Sequence, residues 1–242
     1  MTMPFKKTGY PQGVYEQSSS CKCMLGEYRQ TRDGCGYRYG YASETLTPGK
    51  MTHATQLNAY HLDEAILAVT PIGTYTLDLT ISAGKAILKD ELRGGYFQIR
   101  SSTGQGQRLM IAGNSALLVG GVSIQIALDD PLKIALSATS KYDLIRSPWY
   151  EVALSTTDEN FATGVPLINV TSTYYAWFQT HGVANCLIQD TPAVGSQLIL
   201  SATEGALAVV GTSSDVDVPK VGYIWGAAGV TTEYCPVFLT ID

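Results

Sequence analysis

Tyr174-Tyr175-Ala176-Trp177-Phe178-Gln179-Thr180-His181-Gly182 is the densest aromatic run in the chain. Alternation puts Tyr175, Trp177 and Gln179 on one face of a strand and Tyr174, Ala176, Phe178 and Thr180 on the other. Both faces are largely apolar, the signature of a central strand covered on both sides. Gly182 permits a turn, and Val183 to Ile188 reads as the return strand. Such a strand needs neighbours, and the sequence around it supplies them.

Period-2 patterning begins at residue 72. Thr74 to Ile81 sets Tyr75, Leu77, Leu79 and Ile81 against three threonines and Asp78. Tyr96 to Ser101 and Arg108 to Ile111 flank a glycine-rich connection and predict a hairpin. Further strands are expected at 122–128, 132–138, 142–146, 149–154, 166–170, 197–201, 206–210, 220–225 and 234–241. Residues 62–68 have helical propensity and predict one short helix. The polar stretch 155–162 suggests a lobe boundary. The echo of Tyr96-Phe-Gln and Val119-Gly-Gly in Trp177-Phe-Gln and Val194-Gly-Ser suggests two related lobes. The expectation is an all-β chain: two β-barrel or β-sandwich lobes, at 51–155 and 156–242, with a long extended N-terminal arm at 1–50.

The arm lacks apolar periodicity, yet it holds six of the 15 tyrosines: Tyr10, Tyr15, Tyr28, Tyr37, Tyr39 and Tyr41. A disordered tail is poor in aromatics. Ordering 50 residues costs on the order of 50–100 kcal/mol. These tyrosines, with Arg29, Arg32 and Arg38, are therefore expected to seat on a partner surface or on the arm's own body. Charge is uneven in the same sense. Residues 1–50 carry seven Lys/Arg against four acids, and the rest carries nine against 17. An acidic body argues against coating nucleic acid.

Charged residues are only 15% of the chain, against a usual ~25%. Some of the surface is thus expected to be covered by other subunits. No signal-peptide pattern and no apolar run near the ~20 residues of a membrane span appears, so a soluble protein of a reducing cytoplasm is expected. Five cysteines (Cys21, Cys23, Cys35, Cys186, Cys235) do not suit a full disulfide framework.

Chemical motifs are sparse. Cys21, Cys23, Cys35 and His53 match no standard zinc spacing, and unbonded thiols are the simpler reading. Gly104-Gln-Gly106 sits at a hairpin tip and lacks the helix of a phosphate loop. Asp129-Asp130, Asp158-Glu159 and Asp215/Asp217 are acidic loop pairs without an EF-hand pattern. His181 reads as a strand-end residue, and no activated-serine motif accompanies it. Trp149 and Trp225 are core or interface anchors. No catalytic residue, cofactor or metal is expected.

One resemblance covers most of the chain. Gly26-Glu-Tyr-Arg29, Arg32-Asp-Gly34, Tyr37-Arg-Tyr-Gly40 and Thr47-Pro-Gly-Lys50 are followed by Gly104-x-Gly106-Gln, Asp130-Pro-Leu, Tyr175-x-Trp177-x-Gln179-Thr-x-Gly182 and Val194-Gly195. This order resembles capsid-associated head decoration (cement) proteins of tailed bacteriophages. The resemblance implies a structural virion protein on the outer capsid surface. Its partners would be the major capsid protein and itself, as a homo-oligomer with a trimer preferred, with no nucleic acid or membrane bound. A β-sandwich adhesin binding host glycans through Trp149, Trp225 or Tyr174 is the alternative.

Overall fold

The computed structural model describes residues 9–57, 61–81, 86–157, 161–211, 218–226 and 231–242. It is all-β, with two sheets forming a half-barrel and a nearly closed barrel. The chain divides into a split unit, Met1–Thr55 with Trp149–Asp242, and an inserted unit, Gln56–Pro148. Both boundaries differ from the expected ones. Residues 149–154 pair with the N-terminal segment: Tyr41 donates to the Trp149 carbonyl, and Ala42 bridges Val152. A polar stretch at 155–162 therefore marks no boundary, and residues 9–55 are strands and loops of the split unit.

The split unit begins with β1 (Tyr28–Gln30), β2 (Gly36–Tyr41) and β3 (Thr52–His53). The inserted unit supplies β4 (Glu64–Ala65), β5 (Thr76–Thr80), β6 (Tyr96–Ser101), β7 (Arg108–Asn114), β8 (Ser123–Leu128) and β9 (Lys141–Ile145). The split unit resumes with β10 (Ala153–Leu154), β11 (Ala162–Pro166), β12 (Tyr175–Leu187), β13 (Gln197–Leu200), β14 (Leu207–Val209), β15 (Lys220–Ile224) and β16 (Tyr234–Thr240).

The inserted sheet runs β4-β9-β6-β7-β8-β5. Alternation decides its inside: Leu77, Leu79, Phe97, Ile99, Ile124 and Ile126 are buried, with polar residues between them facing out. The expected helix at 62–68 is absent, because Glu64 and Ala65 pair with Tyr142 and Lys141 instead. Tertiary pairing overrides a weak helical preference there. The expected strand at 132–138 reduces to one bridge, Leu136 to Thr70.

β12 is the axis of the split unit. Its first half is covered on both faces as expected: Trp177, Phe178, Gln179 and Thr180 are all buried. Phe178 packs with Leu46, Val152 and Val170, and Trp177 with Cys23, Cys35, Tyr37 and Tyr39. Gly182, expected as a turn, lies inside a single 13-residue strand. The register slips between Gln179 and His181 on the β2 side. Gly182 takes φ +88 there, and a Cβ would fall 2.9 Å from the Cys35 sulfur. It is a bulge glycine that keeps the strand going. Gln179 pairs with both Val165 and Tyr37, and His181 with both Thr240 and Gly36. A strand has two edges, so β11 and β16 share one edge of β12 while β2 takes the other.

The anticipated repeat is not one of topology. β6 forms a hairpin with β7, whereas β12 pairs with β2, β11 and β16 and not with β13. What recurs is a corner: a bridge residue, a tight turn, then a strand. Three antiparallel bridges join such corners in pairs, Leu46 to Val170, Thr70 to Leu136 and Ile87 to Leu117. Thr47-Pro48-Gly49-Lys50 shows the chemistry. Lys50 donates to the Thr47 carbonyl, proline presets the first central residue, and Gly49 has φ +72, a type II turn. Thr173, three residues after Val170, sits at the same corner position with φ 67. A β-branched residue in the left-handed region costs about 1–2 kcal/mol. Thr173→Gly is expected to stabilise the split unit by about 1 kcal/mol, read as a higher urea midpoint; a lower midpoint would show that the threonine is unstrained.

Candidate functional site

The residues expected to seat on a partner mostly seat on their own unit. Trp177 is the socket. Tyr10 meets its ring edge-on at 5.3 Å, Tyr39 at 5.1 Å, and the Arg29 guanidinium lies 5.6 Å from its centroid. Arg29 also covers Tyr10. Arg38 lies over Tyr28 and Trp149 and forms a two-pronged ion pair with Asp242, both contacts at 3.0 Å. Burial alone would raise the Asp242 carboxyl. The two bonds from Arg38, with the charges of Arg38 and His181, outweigh burial and hold it below its ordinary range. Tyr41 packs against Tyr150 and Tyr175. Tyr37 and Tyr39 are buried, and burial pushes both phenols up. Of the expected contact residues in this segment, Tyr15, Tyr28 and Arg32 are exposed, Tyr15 at 71%.

Charge explains why the segment folds inward. Residues 149–242 hold one basic residue, Lys220, against nine acids. The basic segment lies on this acidic half through Arg38–Asp242 and Lys50–Glu204. Gln12 completes the lock, and nothing in its sequence context marks it. Its amide nitrogen donates to the Glu16 and Tyr175 carbonyls, and its amide oxygen accepts from the Tyr39 hydroxyl. Its backbone carbonyl accepts from Trp177 Nε1 and Arg29 Nη1.

The exposed surface carries the remaining candidates. Trp149 is half-buried beneath Arg38, so it is a packing residue. Trp225 is 62% exposed. Val183, Phe238 and Tyr223 lie side by side across β12, β16 and β15 and therefore share a face. Trp225, two residues beyond Tyr223, extends that face, with its ring 6.1 Å from Phe238. In the inserted unit the corners are apolar outside as well as inside. Leu88, Leu118, Val119 and Val122 project around the Ile87–Leu117 bridge, Leu118 at 80% exposure. Leu67, Val69, Ile72 and Ile134 are exposed around the Thr70–Leu136 bridge. Soluble monomers rarely expose contiguous apolar patches beyond a few hundred Å².

Among the described residues, no three His, Cys, Asp or Glu side chains are placed to hold a metal ion. All five cysteines are free thiols. Cys23 and Cys35 sit in the aromatic core around Trp177, and burial pushes the Cys23 thiol up to about 11. Cys186 faces Cys235 across the β12–β16 ladder, with burial pushing the Cys186 thiol to about 12. Gly104 and Gly106 lie at the β6–β7 hairpin tip, both with positive φ. His181 Nδ1 donates to the Asp242 backbone oxygen at 3.1 Å, matching a structural role. Asp130 pairs with Lys133; Asp158, Glu159, Asp215 and Asp217 lie outside the described residues. An open cleft of about 320 Å³ is lined by Pro48, Gly49, Val165, Pro166, Leu167, Asn185 and Tyr234. Its polar side chains are the Asn185 amide and the Tyr234 phenol, both able to hydrogen-bond.

No protein-family model, curated protein or solved structure matches the chain.

Proposed function

We propose that the chain is a structural virion protein, a decoration (cement) protein that binds the outer face of a phage head shell and stabilises contacts between capsomers. The observation that carries this reading is the placement of exposed large apolar residues. They cluster at the corners of the inserted unit and on the outer face of β12, β16 and β15. Meanwhile Tyr10, Tyr37, Tyr39, Tyr41, Arg29 and Arg38 of the N-terminal segment are taken up within the split unit. The motif resemblance supplies the identity of the shell; the exposed apolar corners supply the contact surface. The reading includes a homo-oligomer, no enzymatic activity, and a location on the virion exterior after synthesis in the host cytoplasm.

The mechanism is thermodynamic. A protein that buries apolar surface on two adjacent capsomers adds its binding free energy to the work of separating them. The reading is tested with expanded heads that lack the protein. Adding it back is expected to raise the temperature of genome release. Leu118→Asp with Val119→Asp is expected to weaken shell binding at least about tenfold. Both side chains are exposed, so fold stability should move by no more than about 0.5 kcal/mol. Unchanged binding by a folded double variant would rule out this surface.

Exposed Trp225 keeps the adhesin reading in view, because a sugar ring can stack on such an indole. Glycan binding lost in Trp225→Ala, with shell binding absent in both proteins, would select that alternative.

A further inference from the structure

β5 leaves one edge open. It pairs with β8 alone. Leu128 donates to the Tyr75 carbonyl and Ile81 to the Val122 carbonyl. Hydrogen-bonded pairs alternate in an antiparallel ladder. Leu77 and Leu79 therefore bond to β8, while the backbone groups of Thr76, Asp78 and Thr80 point the other way. The Thr80 carbonyl is taken by the Tyr142 hydroxyl. The N–H and C=O of Thr76 and Asp78 find no partner among the described residues.

Other edges are short or covered. β4 and β10 have two residues each. On β1, the Tyr28 carbonyl accepts from Tyr10. On β14, the Leu207 carbonyl accepts from Gln189 and the Val209 N–H reaches Asp190. β5 is five residues long and regular, without proline or bulge. Unprotected edges of this kind invite strand addition.

We infer that the open edge of β5 is a strand-addition site for residues 1–8 of a second copy of the chain. Charge selects the occupant. Asp78 stands exposed at the centre of the edge, its carboxylate held by Gln125. β5 pairing with itself about Asp78 would oppose two carboxylates, which disfavours that dimer. Residues 1–8 carry Lys6 and Lys7, no acid, and Phe5 beside them. Extended, eight residues reach about 26 Å, enough to cover a five-residue strand of about 17 Å and leave a tether to exposed Gly9. The inference stands apart from the capsid reading, since it concerns contacts between copies of one chain.

Sedimentation velocity of the full chain, over a range of concentrations, tests it. Reversible association is expected, weakened by salt and lost when residues 1–8 are deleted. Thr76→Pro removes only the outward N–H, so it should abolish association while the urea midpoint barely moves. Asp78→Lys keeps the backbone free and should weaken association about tenfold; it serves if the proline variant fails to fold. Amide exchange at Thr76 and Asp78 should slow only where the chain associates. A chain that stays monomeric at its solubility limit would overturn the inference. So would association that survives the deletion, or slow exchange at both amides in a monomer, which would mean that another segment already fills the edge.

Discussion

Trp177→Ala is expected to destabilise the split unit by about 4 kcal/mol, near the top of the range for emptying an aromatic site. The indole is 1% exposed and is the common contact of Tyr10, Tyr39 and Arg29. Removing it leaves a large void, deletes a hydrogen bond to Gln12, and strips two ring contacts and one cation contact from the N-terminal segment. Leu46 and Met51 are anchored in other clusters, so the loss should be confined to the part of the segment around β1 and β2. Amide exchange should show β1 and β2 opening well before the β12–β16 ladder, with the inserted unit unchanged. Protection of Tyr37 to Tyr41 at the original level would mean that the β2–β12 hydrogen bonds, not the aromatic socket, hold the segment.

Asp143→Ala is expected to cost the inserted unit about 3 kcal/mol, because it strands several donors at once. The carboxylate is 2% exposed and accepts from the Asp63 N–H, Gln98 Nε2 and Arg100 Nε. Burial raises this carboxyl, but the three bonds and the Arg100 charge outweigh burial and hold it below its ordinary range. A depressed carboxyl contributes stability above its unfolded pKa of about 3.9, and that contribution is lost as pH falls through the folded value. His61 acts in a higher window. It is 3% exposed, and burial and then the Arg146 charge lower its pKa, against a smaller opposing effect of Glu64. Above about pH 6.5 the imidazole is neutral folded and unfolded, so it adds nothing. Below that, the unfolded chain takes the proton first and stability falls. Urea midpoints against pH should therefore drop in two stages. His61→Gln should shrink the stage beginning near 6.5, leaving the part due to half-buried His53, and Asp143→Ala should shrink the stage below about 4, leaving the part due to Asp242 and Asp33. A single stage untouched by either variant would assign acid sensitivity to other groups.

The strands were legible wherever one face is wet. β5, β6 and β8 alternate strictly, and their expected bounds lie within two residues of the observed ones. Gly182 reads as a turn in sequence because a bulge and a turn need the same left-handed backbone, and only the partner strand tells them apart. The N-terminal segment was half legible. Its charge imbalance pointed to an acidic surface but not to whose surface. Its pairing partner β12 lies more than a hundred residues away, and no local pattern encodes that distance. Gln12 was invisible for a related reason: a buried glutamine acquires meaning only from the carbonyls and hydroxyl that converge on it.

The interrupted split unit also sets an order of events on the ribosome. Every strand pairing of the inserted unit closes within residues 56–148. That unit can fold as soon as it emerges. β2 is synthesised early but must wait for β12, roughly 150 residues later, on the order of 10–30 s at ordinary elongation rates. During that interval Tyr37, Tyr39, Cys23 and Cys35, destined for the interior, have no core to enter. The nascent chain thus carries an aromatic strand that waits for its partner, and a ribosome that stalls before Trp177 releases a product in which Tyr10, Tyr39 and Arg29 have no socket.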